Sequence, residues 1–153
     1  MEEGEYRSTY HNVNQQRCIF EKSVLSRRAA CSHAHRFCLA DREGVSCQDR
    51  DAQILCKQAL DNLREKALFA LQLTRLDGPL PHAKEMKVQL GGLVGMQQVL
   101  NLPTNDTQAI EDIYHLISKI IEQYGDIDAL PYHEIARAVS GFKGRKRARS
   151  IRD

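Results

Sequence analysis

Cys18, Cys31, Cys38, Cys47 and Cys56 fall within 39 consecutive residues, and the 97 residues that follow hold no cysteine. Five is an odd number, and three Glu among the first five residues leave no room for an apolar secretory leader. A disulfide framework is therefore not expected. Thiols clustered in a reducing compartment point to metal or redox chemistry. Their spacing, Cys18-x12-Cys31-x15-Cys47-x8-Cys56 with Cys38 left over, contains no C-x2-C or C-x4-C knuckle of the kind that holds one zinc ion. Four thiolates from separate segments suit a larger inorganic cluster. The expected ligands are Cys18, Cys31, Cys47 and Cys56 around a [4Fe–4S] cluster, with zinc as the alternative cofactor. Cys38 lies in the apolar run Phe37-Cys38-Leu39 and is expected to be a core thiol. His33 or His35 can replace one ligand, but not both, because residues two apart on a helix face different directions.

Anionic sulfurs in a pocket of low dielectric need cationic or hydrogen-bonding neighbours. Arg17, Arg27, Arg28, Arg36, Arg42 and Arg50 are interleaved with the cysteines. They are expected to fill that role and to lower the thiol pKa values. Cys47 precedes a helix start, where outward-facing backbone N–H groups also favour an anion.

Such ligands must be positioned by helices. Residues 15–43 and 49–74 are rich in Ala, Leu, Arg, Glu, Gln and Lys and lack proline, and both stretches are read as helix, broken at Gly44-Val45-Ser46. Asp49 or Asp51 can cap the second. Asp77-Gly78-Pro79-Leu80-Pro81 reads as a turn, and a third helix is expected from Pro81 to about Leu100, ended by Asn101-Leu102-Pro103. A fourth, capped by Thr104, Asp106 or Thr107, would carry the stripe Ile110, Ile113, Tyr114, Leu116, Ile117, Ile120 and Ile121 and stop at Tyr124-Gly125-Asp126. A last short helix covers 131–140. If 31–38 were helical, Cys31 and Cys38 would share a face about 10.5 Å apart along the axis.

The fold expected is thus all-α: a compact bundle of four to six helices over 1–142, with a cysteine-rich half (15–75), a cysteine-free half (81–142) and a disordered basic tail. Residues 143–153 hold six cations and one acid, whereas the whole chain is only +2, so the body is mildly acidic. Lys143, Arg145, Lys146, Arg147 and Arg149 offer a handle for nucleic acid or an anionic surface. The segment 131–139 resembles the first helix of a helix-turn-helix, which would make the chain a nucleic-acid-binding regulator, but the basic run after it supplies no ordinary recognition helix.

Other patterns are weaker. Asp112-x-x-His115 is half of a carboxylate di-iron motif. His82-x-x-Glu85 is in the reverse order. Gly91, Gly92 and Gly95 form no nucleotide loop and are read as close helix packing. No catalytic constellation is present, so the chain is not expected to be an enzyme on its own. With 153 residues, 42% of them apolar, and no long apolar run, a single cytoplasmic domain without a transmembrane segment is expected. The function these residues imply is a small iron–sulfur protein that transfers electrons or senses redox state for a larger partner, such as a redox enzyme. An Ile-rich stripe longer than one bundle can bury would dock a partner helix. The rival reading is a metal-free helical adaptor or nucleic-acid-binding regulator working through its basic tail.

Overall fold

A computed structural model describes residues 2–68, 71, 79–103 and 109–143. Among these, six α-helices accompany one two-stranded sheet: α1 (Glu3–Val13), α2 (Glu21–Leu25), β1 (Ala34–Leu39), β2 (Arg42–Cys47), α3 (Arg50–Lys66), α4 (His82–Val99), α5 (Ile113–Tyr124) and α6 (Tyr132–Gly141), with a short 3-10 turn over Ile127–Ala129.

The sheet corrects the all-α bundle expected from composition. Residues 34–47 form an antiparallel hairpin whose register runs from Ala34 opposite Cys47 to Leu39 opposite Arg42. The two loop residues, Ala40 and Asp41, both adopt left-handed backbone, with φ of 51° and 66°. That conformation matches the right-handed twist of the flanking strands. Gly44, expected to break a helix, sits inside β2 opposite Phe37. A Cβ there would lie 2.5 Å from the Phe37 ring and 2.9 Å from that of Tyr10. Its missing side chain is what allows the aromatic ring to cross the strand. Upstream, the expected long helix is reduced to the five residues of α2, after which Arg27 turns left-handed at φ 66°.

The later helices follow the expected pattern more closely. Asp49 caps α3 by accepting a hydrogen bond from the Ala52 N–H. Ala52, Cys56, Ala59, Leu60 and Leu63 bury one face of α3 at helical spacing. The helix α5 begins later than expected: its cap is Asp112, while Ile110 lies outside it in a bridge to Ala29. The proposed caps Thr104, Asp106 and Thr107 lie outside the described residues. Ile113, Leu116, Ile117 and Ile120 are all buried, so the stripe is consumed within the chain and not left for a partner. The hydrophobic cluster joins Phe20, Val45 and Leu63 from the cysteine-rich half to Leu93, Ile117 and Ile135 from the other.

The glycines of α4 provide close packing, as the sequence implies. A Cβ on Gly95 would lie 2.6 Å from the Ile135 carbonyl oxygen, and one on Gly91 would lie 2.8 Å from the Val139 Cα. The obstacles are backbone atoms of α6, which cannot swing aside. Gly95→Ala is accordingly expected to destabilise the fold by about 1–3 kcal/mol through overpacking, measurable by urea denaturation.

Two buried carboxylates fasten the cysteine-bearing elements. Glu21 accepts hydrogen bonds from the Tyr10 hydroxyl, from Val45 N–H at 2.8 Å and from Arg17 Nε at 2.8 Å. Asn14 joins the same network, donating from Nδ2 to Tyr10 Oη at 2.8 Å and to the Val45 carbonyl at 2.9 Å. On the other side, Glu85 is gripped by both branches of Arg64 at 3.0 and 2.8 Å and accepts from Gln89, whose Oε1 in turn accepts from the Ser23 hydroxyl at 2.8 Å. These chains tie α1, α2 and β2 together and tie α2 to α3 and α4.

Candidate functional site

Each of the four expected ligands comes from a different local structure. Cys18 lies in the connection after α1, where the segment 16–18 runs beside β2. Its N–H donates to the Val45 carbonyl at 3.0 Å, and the Cys47 N–H donates to the Gln16 carbonyl at 2.7 Å. Cys47 ends β2, and its thiol donates to the Asp49 carbonyl at 3.0 Å. Cys31 precedes β1 in a segment held against the start of α5: Ala30 N–H donates to Ile110 O at 2.9 Å and Ile113 N–H to Ala30 O at 2.8 Å. Cys56 belongs to the buried face of α3.

All four converge. Cys18, Cys31, Cys47 and Cys56 line one small apolar cavity of about 20 Å³, closed further by Phe20, Ala52 and Ile113. They are near enough that a charge on one disfavours a charge on the others: Cys56 is affected in this way by Cys31, Cys18 and Cys47. The fifth cysteine is elsewhere. Cys38 is exposed on β1, which corrects its assignment as a core thiol; the strand's alternation turns it outward between half-buried Phe37 and Leu39. The helical geometry assumed for 31–38 does not apply.

Burial, not cationic neighbours, dominates the thiols. It pushes Cys18 up to about 12 and raises Cys31 and Cys56 as well. The expected lowering by arginine is not found at Cys18, Cys31 or Cys56, and five of the six arginines are engaged elsewhere: Arg17 with Glu21, Arg27 and Arg36 with Glu43, Arg42 with Glu3, and Arg28 over the Phe142 ring at 4.6 Å. What the sulfurs receive instead is backbone. The N–H of Phe20 is directed at Cys18, and those of His33 and Tyr114 at Cys31. Sequence reading missed these donors, although two of them stand two residues after the cysteine they serve. That offset is the signal by which they were detectable.

A linkage consequence follows for the protein with free thiols. Folded-state pKa values above the ordinary thiol value of 9.0 mean that the native state holds protons the unfolded chain releases. The stabilisation is complete below pH 9 and is lost as pH rises toward 12. Urea midpoints are expected to fall between pH 8 and pH 10, and to fall less steeply in Cys56→Ala.

The remaining candidates have structural explanations. His33 lines the cavity, half-buried, with its ring edge-on to Tyr114 at 4.5 Å and Nε2 4.0 Å from Asp49, while His35 is exposed on β1. Asp112 accepts from His115 N–H at 3.3 Å as a helix cap and from Ser32 N–H at 3.2 Å, not as part of a di-iron site. Glu85 pairs with Arg64, and Lys84 donates to the Leu71 carbonyl at 3.0 Å. Of the basic tail only Lys143 belongs to the described residues; Arg145, Lys146, Arg147 and Arg149 lie outside them, as does any recognition helix after 131–139. The apolar face of α6 is itself buried through Ile135, Ala136 and Val139.

Among the described residues, no group of three or more His, Cys, Asp or Glu is arranged to hold a metal ion. This corrects the metal-binding character expected of the cysteine-rich half. The cysteines meet as packed side chains around one small cavity. No helix among the described residues is long and apolar enough to cross a membrane. Comparison with family models, with curated proteins and with solved structures finds no match in any of the three.

Proposed function

We propose that the chain binds a [4Fe–4S] cluster through Cys18, Cys31, Cys47 and Cys56 and serves a larger redox partner in the cytoplasm, transferring electrons or sensing redox state. The observation that carries this reading is the convergence of four thiols, separated by up to 38 positions in sequence, on one apolar cavity while the fifth cysteine faces solvent. A hydrophobic core gains nothing from collecting thiols in this way, since alanine or valine would fill the space as well.

Bound, the cluster would supply one-electron chemistry. The chain's own residues would do the rest. Phe20, Ala52 and Ile113 exclude water from the sulfurs, and the N–H groups of Phe20, His33 and Tyr114 stabilise thiolate charge without adding a formal cation. A thiol must release its proton to ligate, so the raised pKa values of Cys18, Cys31 and Cys56 make uptake more favourable with rising pH. The free-thiol cavity is close-packed, so cluster assembly requires the Cys18 and Cys31 connections to move outward. Neither connection is part of a helix or strand. Cys18 also borders a second, larger cleft of about 840 Å³, lined by Arg17, Lys57, Arg64 and Glu85, through which a partner could come close to a ligand sulfur.

The test is purification without oxygen followed by iron, acid-labile sulfide and zinc analysis with a visible spectrum on the same sample. About four irons and four sulfides per chain are expected. Folded protein that remains colourless after anaerobic reconstitution with ferrous iron and sulfide would overturn the reading.

A further inference from the structure

Charge is distributed unevenly along α6. Asp126, Asp128 and Glu134 stand before it or in its first turn, whereas Arg137 is exposed beyond its middle and Lys143 is exposed just after its end. Two other elements bring cations to that same end. Gly91 of α4 meets Val139 and Gly95 meets Ile135, so the two helices run antiparallel, and one more turn along each brings Lys87 level with residue 143. Arg28, ahead of β1, lays its guanidinium 4.6 Å from the centre of the Phe142 ring. Its backbone is fixed in turn, because the Ile110 N–H donates to the Arg28 carbonyl at 2.8 Å. Phe142 is buried, so the point at which the chain leaves the body is set by packing. No carboxylate among the described residues forms an ion pair with Lys87, Arg137 or Lys143. Residues 144–153 then add five cations and one acid.

Cations gathered in this way, and continued along the chain by five more, make a field of one sign that attracts a polyanion. The side chains around them favour phosphodiester over lipid. A surface that lies on a membrane pairs its cations with apolar side chains that enter the acyl boundary. Here Val139 and Phe142 are buried, and 144–153 holds one large apolar residue, Ile151. Arginine outnumbers lysine by four to one in 144–153, and its planar fork matches phosphate and stacks on bases. We propose that Lys87, Arg137 and Lys143, with the charge of Arg28 behind them, form a platform that binds the sugar–phosphate backbone of a nucleic acid together with the basic residues that follow. Composition assigns such a role only to the residues from Lys143 onward; the fold adds Arg28, Lys87 and Arg137. No cysteine takes part, so the inference is independent of the cluster reading.

The test titrates the full chain into a labelled single-stranded RNA of mixed sequence, a duplex DNA, and vesicles of equal parts phosphatidylcholine and phosphatidylserine, each over a range of salt. RNA or DNA binding that weakens steeply with salt is expected, with vesicles left unbound. In Lys87→Gln/Arg137→Gln the slope of log affinity for RNA against log salt is expected to fall in magnitude by about 1.4, from two single-strand phosphate contacts of about 0.7 each. Neutralising Arg145, Lys146, Arg147 and Arg149 to Gln is expected to lower it by about 2.8 on the same basis. Lys119→Gln controls for net charge, since Lys119 lies on α5 beside Leu100 and Leu102, at the far end of α4 from Lys87. That variant is expected to keep the wild-type slope, and far-UV circular dichroism establishes that each variant is folded. An unchanged slope in Lys87→Gln/Arg137→Gln, with binding lost on neutralising the four later residues, would overturn the platform. Vesicle binding as tight as RNA binding, or no binding of RNA or DNA at low salt, would overturn it as well. None of these outcomes bears on the iron and sulfide content by which the cluster reading is judged.

Discussion

Cys56→Ala is expected to retain less than about a tenth of the wild-type iron and sulfide and to lose the visible thiolate-to-iron absorbance, because a [4Fe–4S] cluster held by cysteine needs four thiolates. Cys18→Ala, Cys31→Ala and Cys47→Ala are expected to behave alike. The four sulfurs come from four different segments but line one cavity, and no other cysteine reaches it. Cys38→Ala provides the contrast. Its sulfur is exposed on the far part of β1, so that variant is expected to keep its full cluster content. The measurement is iron and sulfide per chain after anaerobic reconstitution, with far-UV circular dichroism to establish that each variant is folded. Equal iron in Cys56→Ala and in the wild type would exclude this ligand set. Replacing Cys56 also removes a buried sulfur from α3, and alanine recurs along the same face at Ala52 and Ala59, so folding itself is expected to survive.

The largest effect on stability is expected at Glu21, which is 6% exposed. Glu21→Ala leaves the Tyr10 hydroxyl, the Val45 N–H and the Arg17 guanidinium without their shared acceptor, and two of these three are buried. Breaking a buried charged network by removing one partner costs about 3–5 kcal/mol, because the desolvated groups that remain are uncompensated. For a chain of this length the melting temperature is expected to drop by on the order of 10 °C. Glu21→Gln keeps an acceptor for Tyr10 or Val45 and is expected to cost less than half as much. The ordering of the two variants by calorimetry is the check: equal losses would mean that the negative charge, and not the hydrogen bonds, holds the network. Glu21 also accounts for a coupling between fold and site. It tethers the N–H of Val45, whose carbonyl holds the Cys18 backbone, and it lies three residues from Cys18. Loosening it is therefore expected to weaken cluster retention as well as stability.

How much of this was legible in the chain differs by element. The helices α3, α5 and α6 were readable because each carries an apolar stripe at helical spacing bounded by Asp, Pro or Gly, and α4, buried over Val88–Met96 without a stripe, was readable from Pro81 at its start and Asn101-Leu102-Pro103 at its end; such local signals act within a few residues. Asp49 and Gly125 function as their residue types imply. The hairpin was not readable. Its loop is Ala40-Asp41 instead of an asparagine–glycine pair, and its strands contain Ala, Arg, Glu and Cys, which carry no strong strand preference. Only the Phe37 ring crossing Gly44 and the Glu21 network make the strand conformation the better choice. Both are long-range contacts.

The same division runs through the site. The sequence by itself determined that thiols concentrate in about a quarter of the chain and that Cys18, Cys31, Cys47 and Cys56 were the set to follow. Residue type sets chemical capacity, and capacity does not depend on folding. The tertiary structure decided that Cys38 faces outward, that arginine charge is spent on Glu3, Glu21 and Glu43 and not on sulfur, and that the sulfurs meet backbone N–H groups and the carboxylate of Asp112. Those outcomes depend on which segments lie side by side. Adjacency between residues 31 and 112 is set by the packing of the 29–32 segment against the start of α5, a contact that no spacing in the sequence encodes.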